Sequence, residues 1–132
     1  MRIFPFLLLL AVFSACSRPV SEEYFILKGD APEGVYAFPL DLADTTVAYD
    51  LSLFVRPDPR DSSGFPLTVS WYKEDSLRFT EELFFPAGKE KVLYRSGVVM
   101  AEPGIWTLCL EPCCPPAGFS GIGVINQRNG TR

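Results

Sequence analysis

The chain has 132 residues, a formal net charge of −4, 48% hydrophobic and 21% charged residues, and no histidine. That length suits one domain rather than two, and the acidic balance argues against a nucleic-acid partner. The missing histidine removes the commonest general base and metal ligand, and with it any Ser–His catalytic pairing.

Met1-Arg2 makes a short positive start, and Ile3–Val12 (IFPFLLLLAV) is an apolar run broken only by Pro5. Ten residues of helix rise about 15 Å, roughly half the hydrocarbon core, so the run reads as a signal-peptide core rather than a membrane span. Phe13-Ser14-Ala15-Cys16 follows, with small residues before a cysteine. This resembles the bacterial lipobox, and residues 1–15 are expected to be a lipoprotein signal peptide with Cys16 as the lipidation site. The alternative is plain cleavage after Ala15 with Cys16 unmodified. Several acyl chains on Cys16 would tether the protein stably to the outer membrane. Residues 16–23 combine the lipidated cysteine with a polar leader lacking large apolar side chains, which leaves the periplasmic and surface faces both open. Residues 24–132 are expected to form one domain.

The body reads as strands. Glu23–Lys28 and Val35–Leu42 supply the first two. Thr46–Arg56 is the clearest, with Val47, Tyr49, Leu51, Leu53 and Val55 on one face and mostly polar residues on the other, the pattern of a half-buried antiparallel strand. Pro57–Gly64 is dense in turn formers. Leu67, Val69 and Trp71 then alternate with Thr68, Ser70 and Tyr72, and Lys73–Ser76 turns the chain into Leu77–Phe85. After the loop Pro86–Lys91, Val92–Arg95 reads equally as a short strand or one helical turn. Gly97–Ala101 and Ile105–Glu111 are expected to form a hairpin around Glu102-Pro103-Gly104, with Trp106, Leu108 and Leu110 facing one way. Pro112–Gly118 is too proline-rich for a sheet, and Phe119–Gln127 closes the chain, weakened by Gly121 and Gly123. Seven or eight short strands predict an antiparallel β-sandwich, with an open β-barrel as the alternative.

Four features occur in order: DLSLFVR at Asp50–Arg56, FPLTVSW at Phe65–Trp71, VVMAEPGIWTLCL at Val98–Leu110, and a terminal Gly121-Ile122-Gly123-Val124. Together with the lipobox and Tyr94-Arg95, this order resembles the gliding-motility lipoprotein H family of Bacteroidota. The resemblance covers roughly residues 46–127. The Cys- and Pro-rich loop before the last strand and the short chain depart from the family pattern. It implies an all-β envelope lipoprotein that serves a larger gliding or secretion machine through protein partners, and it assigns no catalytic residues.

Once Cys16 is given to lipid, three cysteines remain for an oxidising compartment. The favoured expectation is a disulfide from Cys109 to either Cys113 or Cys114, leaving one thiol over. A vicinal Cys113–Cys114 bond would be strained, and a three-thiolate zinc site with Glu111 matches no familiar spacing. Asp41, Asp44, Asp50, Asp58 and Asp61 fit no EF-hand loop and are read as loop or solvent-face acids. Glu81 and Glu82, adjacent on a strand, point to opposite faces and cannot flank one glycosidic bond. No enzyme activity, metal or cofactor is therefore expected. Trp71 and Trp106 are in phase with aliphatic neighbours and belong in the core, leaving Tyr72 as the ring best placed for exposure. Asp44-Thr45-Thr46 and Asp75-Ser76-Leu77 resemble the O-glycosylation motif of Bacteroidota envelope proteins, which makes Thr45 and Ser76 candidate acceptors. Glycan capture by exposed rings is the alternative to protein docking.

Overall fold

The computed structural model describes residues 21–56 and 63–131. The expected signal peptide, Cys16, Asp58 and Asp61 lie outside them. Eight strands follow in chain order: β1 (Ser21–Leu27), β2 (Tyr36–Leu42), β3 (Val47–Val55), β4 (Phe65–Lys73), β5 (Ser76–Phe85), β6 (Lys91–Val98), β7 (Gly104–Pro112) and β8 (Gly121–Thr131). Two 3-10 turns, Lys28–Asp30 and Pro32–Gly34, join β1 to β2. The strands form two four-stranded antiparallel sheets in the orders β1-β8-β3-β6 and β2-β7-β4-β5. This is the all-β, two-sheet architecture expected of a sandwich, and the free edges of both sheets distinguish it from a closed barrel.

Alternation decides which side chains are buried. In β3 the predicted inward set of Tyr49, Leu51, Leu53 and Val55 is buried, and Phe38, Leu40 and Leu42 of β2, Leu67, Val69 and Trp71 of β4, and Trp106, Leu108 and Leu110 of β7 complete the core with Ile122 and Val124 of β8. Period-two patterning is strong in these strands because each has one face on the core. One end of the core is closed by aromatic packing. Phe65 stacks on Phe85 at 5.4 Å, and Phe119 meets both Phe65 and Tyr36 edge-on.

Three expectations are corrected and one open alternative is resolved. The stretch Gly97–Glu111 is not a hairpin: β6 lies beside β3 in one sheet, whereas β7 lies between β2 and β4 in the other. The Pro103-Gly104 turn instead carries the chain across the sandwich. A turn signal marks where the chain bends but not which sheet the next strand joins, and β7, with three large inward residues, is best buried between two partners. Val92–Arg95 resolves to strand, within β6. The last three residues of the expected leader, Ser21 to Glu23, belong to β1 and pair with Gln127 to Ile125. The final strand begins at Gly121 and runs on to Thr131.

Gly123 does not weaken β8. It sits in register between Phe25 of β1 and Phe54 of β3, and a Cβ there would lie 2.4 Å from the Phe54 ring and 2.3 Å from the Tyr24 carbonyl. The missing side chain lets Phe25 and Phe54 stack across it at 5.6 Å, with the Arg56 guanidinium 4.2 Å from the Phe25 ring centroid. Phe54, which lies on the mostly polar face of β3, is therefore half-covered from the outside.

Candidate functional sites: two lateral openings of the sandwich

The edges β5 and β6 belong to different sheets and flank one side of the sandwich. Between them lies a groove of about 250 Å³ lined by Trp71, Trp106, Phe79, Val98 and Met100, with Arg78 and Arg95 also in its lining. Trp71 and Trp106 meet edge-to-face at 5.9 Å and are each 6% exposed, so both stand in the core as expected, with their edges at the groove. Buried indoles need partners for their N–H groups. Trp71 Nε1 donates to the Tyr94 hydroxyl at 2.8 Å, and Trp106 Nε1 donates to the Glu102 carbonyl at 3.0 Å.

The Tyr94 hydroxyl in turn donates to Glu81 Oε2, which also accepts from Arg95 Nη2 at 2.6 Å. This Trp–Tyr–Glu–Arg chain joins the two sheets at their open side. It works because Glu81 faces inward, opposite Val69, while Glu82 faces out beside Thr68. The two carboxylates thus lie on opposite faces, as the strand reading required. Burial, and then the Glu81 hydrogen bond, raise the Tyr94 pKa from 10.0 to about 12. Arg78 makes a two-pronged contact with Glu102 at 2.7 and 3.1 Å, and this holds the Glu102 carboxyl below its ordinary range.

β5 itself pairs only with β4, so its far side has no strand neighbour. Along its ten residues only Phe85 is buried, and Leu77, Phe79 and Phe84 are 53%, 47% and 65% exposed. The Phe79 and Phe84 rings, rather than Tyr72, are the exposed ones. Tyr72 is half-covered because β4 is a central strand, with Leu77 on one side and Thr107 on the other. Sequence reasoning missed the β5 edge because edge status depends on strand order, which no local pattern encodes.

The second opening lies on the opposite side, where β1, β8 and β3 meet the end of β2. It is a polar pocket of about 280 Å³ lined by Glu22, Asp41, Ala43, Asp44, Tyr49, Asn126 and Arg128. Of the three described aspartates singled out in the sequence, Asp41 and Asp44 come together here. Asp50 is elsewhere, accepting from the Gly97 N–H at 2.9 Å and the Asn129 amide at 2.9 Å. Asp44 accepts from the Thr46 N–H and hydroxyl at 2.9 and 2.6 Å, and from Arg128 Nη1 at 3.2 Å; these bonds, those from Thr46 first, depress its pKa. Among the described residues no group of three or more His, Cys, Asp or Glu side chains could hold a metal ion.

Cys109, Cys113 and Cys114 are free thiols. Pairing of Cys109 with Cys113 is opposed by the backbone, because β7 stays extended through Pro112. Four extended residues span roughly 13 Å, about twice the Cα separation a disulfide tolerates. Cys113 and Cys114 lie with their sulfurs 3.9 Å apart, and this contact, led by the hydrogen bond, raises the Cys113 pKa. Burial raises that of Cys109. Thr45 sits exposed in the turn before β3, and Ser76 is exposed at the start of β5, directly after its hairpin turn.

No family model and no curated protein matches the chain. Among solved structures, the fold is similar to part of tripeptidyl peptidase 2, with a TM-score of 0.50 at 13% identity over 83% of this chain and 10% of that one. It also aligns with a chain of the Israeli acute paralysis virus particle heated to 63 degrees (TM-score 0.43, 13% identity, 84% of this chain and 70% of that one). A third alignment is with dimeric latent PorU from Porphyromonas gingivalis (TM-score 0.36, 14% identity, 84% of this chain and 13% of that one). The chain thus spans about a tenth of the peptidase, and the likeness is one of fold alone. Among the described residues no helix is long and apolar enough to cross a membrane.

Proposed function

We propose that the protein is a non-enzymatic lipoprotein, tethered to the outer membrane through Cys16, that serves a cell-envelope machine of the gliding-motility or secretion type by docking protein partners. The docking element is the β5 edge with the aromatic groove behind it, and the occupant is an extended, alternately apolar segment of an envelope protein. The observation that carries this reading is the ten-residue edge strand, unpaired on its outer side and carrying exposed Leu77, Phe79 and Phe84. Edges of that length and character are normally shortened, charged or covered unless they serve as templates for another strand. Added backbone hydrogen bonds would supply affinity, and the groove would select side chains on one face of the incoming segment.

Glycan capture is less well supported at this side. The two tryptophans are buried and mutually perpendicular, and Tyr94 is held by Glu81, so no coplanar exposed platform forms. The test is a photo-crosslinking residue placed at Phe79 in the full chain, irradiated in the native host, with adducts identified by mass spectrometry. The expected result is an adduct with a motility or secretion component that disappears when Leu77 and Thr80 are both replaced by Lys. Absence of any protein adduct from β5 would overturn the docking role. A Cys16→Ala protein that stayed fully membrane-bound would overturn the tether. Mass spectrometry of native peptides showing bare Thr45 and Ser76 would remove the glycosylation reading.

A further inference from the structure

We infer that the polar pocket beside β1 is a binding site for a protonated primary amine, of the size of an amino sugar or a lysine side chain. Register brings its parts together: Glu22 of β1 pairs with Asn126 of β8, and Tyr49 of β3 pairs with Arg128. Asn126 is 3% exposed and lines the pocket, in phase with the core residues Ile122 and Val124. Its amide Nδ2 donates to the Asp41 carbonyl at 3.3 Å. That bond fixes which way the amide points, because the reverse orientation would set two acceptors against each other. Its Oδ1 is then left buried with no donor, an exception that native interiors rarely tolerate without a ligand or water to complete it.

The remaining groups define which ligand would complete it. Asp44 is already matched with Thr46 and Arg128, and one oxygen of Asp41 accepts from the Ala43 N–H at 3.2 Å. The Glu22 carboxylate forms no hydrogen bond or ion pair among the described residues. Two acceptors at the pocket are therefore unfilled: the Glu22 carboxylate and Asn126 Oδ1. Asp41 lends the pocket its backbone carbonyl while its side chain lies on the exposed face of β2, and three acidic residues against one guanidinium leave the lining with excess negative charge. An ammonium group offers three donors, no acceptor and one positive charge, which complements that set. A neutral polyol would leave the charge unanswered, an anion would be repelled, and the side chains do not form a metal-ligand group.

The test is isothermal titration of the full chain in detergent at neutral pH. The probes are n-butylammonium chloride and D-glucosamine hydrochloride, with D-glucose and calcium chloride as controls. Saturable one-to-one binding of an amine is expected, weakened about tenfold by Glu22→Gln, which removes one charge-assisted hydrogen bond without changing shape. Asn126→Leu is expected to weaken it as well. Tighter binding of butylammonium would point to a lysine side chain, and tighter binding of glucosamine to an amino sugar. The inference is overturned if neither amine saturates, if glucose binds as well as glucosamine, if calcium alone binds, or if Glu22→Gln melts like the parent and binds amines equally well.

Discussion

The two open sides of this sandwich solve the same geometric problem with opposite chemistry. On the β5/β6 side the opening between the sheets is lined by Trp71, Trp106, Phe79 and Met100, and its central polar groups are matched in a chain: indole with phenol, phenol with carboxylate, carboxylate with guanidinium. On the β1/β2 side the lining is carboxylate, amide and guanidinium, and one buried amide oxygen has no donor at all. The first side holds the sheets together and leaves its exposed apolar surface on the strand edge outside. The second gives up stability at its centre. Buried groups that lower stability persist where they are used, which is why the polar side is read as a small-ligand site and the aromatic side as a scaffold for docking.

The sharpest way to break this contrast is at Trp71. Trp71→Ala is expected to cost about 3–5 kcal/mol in urea unfolding, since it removes a large core ring and the indole N–H that donates to the Tyr94 hydroxyl. A loss below about 1 kcal/mol, the scale of an ordinary surface substitution, would mean that the aromatic side is not structural.

Tyr94 gives a pH signature for the same network. With its folded pKa raised to about 12, the folded protein keeps a proton that the unfolded chain releases near pH 10. The contribution is fully present below pH 10 and is lost as pH rises from 10 to 12. Two units correspond to at most about 3 kcal/mol; partial exposure of the ring reduces this to about 1–2 kcal/mol. Tyr94→Phe should flatten that part of the alkaline stability curve.

The polar side predicts the opposite sign. Asn126→Leu is close in shape and removes the orphaned carbonyl, and it should raise stability by about 1 kcal/mol while weakening amine binding. A clear loss of stability would show that the amide is structural and not held for a ligand. The smallest effect is at acid pH. Because the Asp44 pKa is depressed, its contribution is complete above the ordinary aspartate range and is lost as pH falls through and below it. Asp44→Asn should reduce the acid dependence of the melting temperature without altering the alkaline limb.

Much of this was legible in the chain. The inward faces of β3, β4 and β7, the core placement of both tryptophans, the opposed Glu81 and Glu82, and the turn after Lys73 all follow from local alternation and turn chemistry. Such signals act over a few residues and record which face of a strand meets the core. They say nothing about which strands become neighbours. The hairpin expected across Pro103-Gly104 failed for that reason, since the same turn residues serve an in-sheet reversal and a crossing between sheets. The aspartates show the same limit, as sequence grouped Asp41, Asp44 and Asp50 while the register joined the first two, beside a glutamate and an asparagine that attracted no notice.

By itself, then, the sequence determined an all-β chain with one buried face per strand, because hydrophobic burial imposes a period of two on any half-covered strand. Only the tertiary structure decided that β5 and β6 are edges, that Gly123 must be bare beneath two rings, and that Glu22, Asp41 and Asn126 share a pocket. Those facts rest on strand order and register, which are set by long-range packing across the whole core.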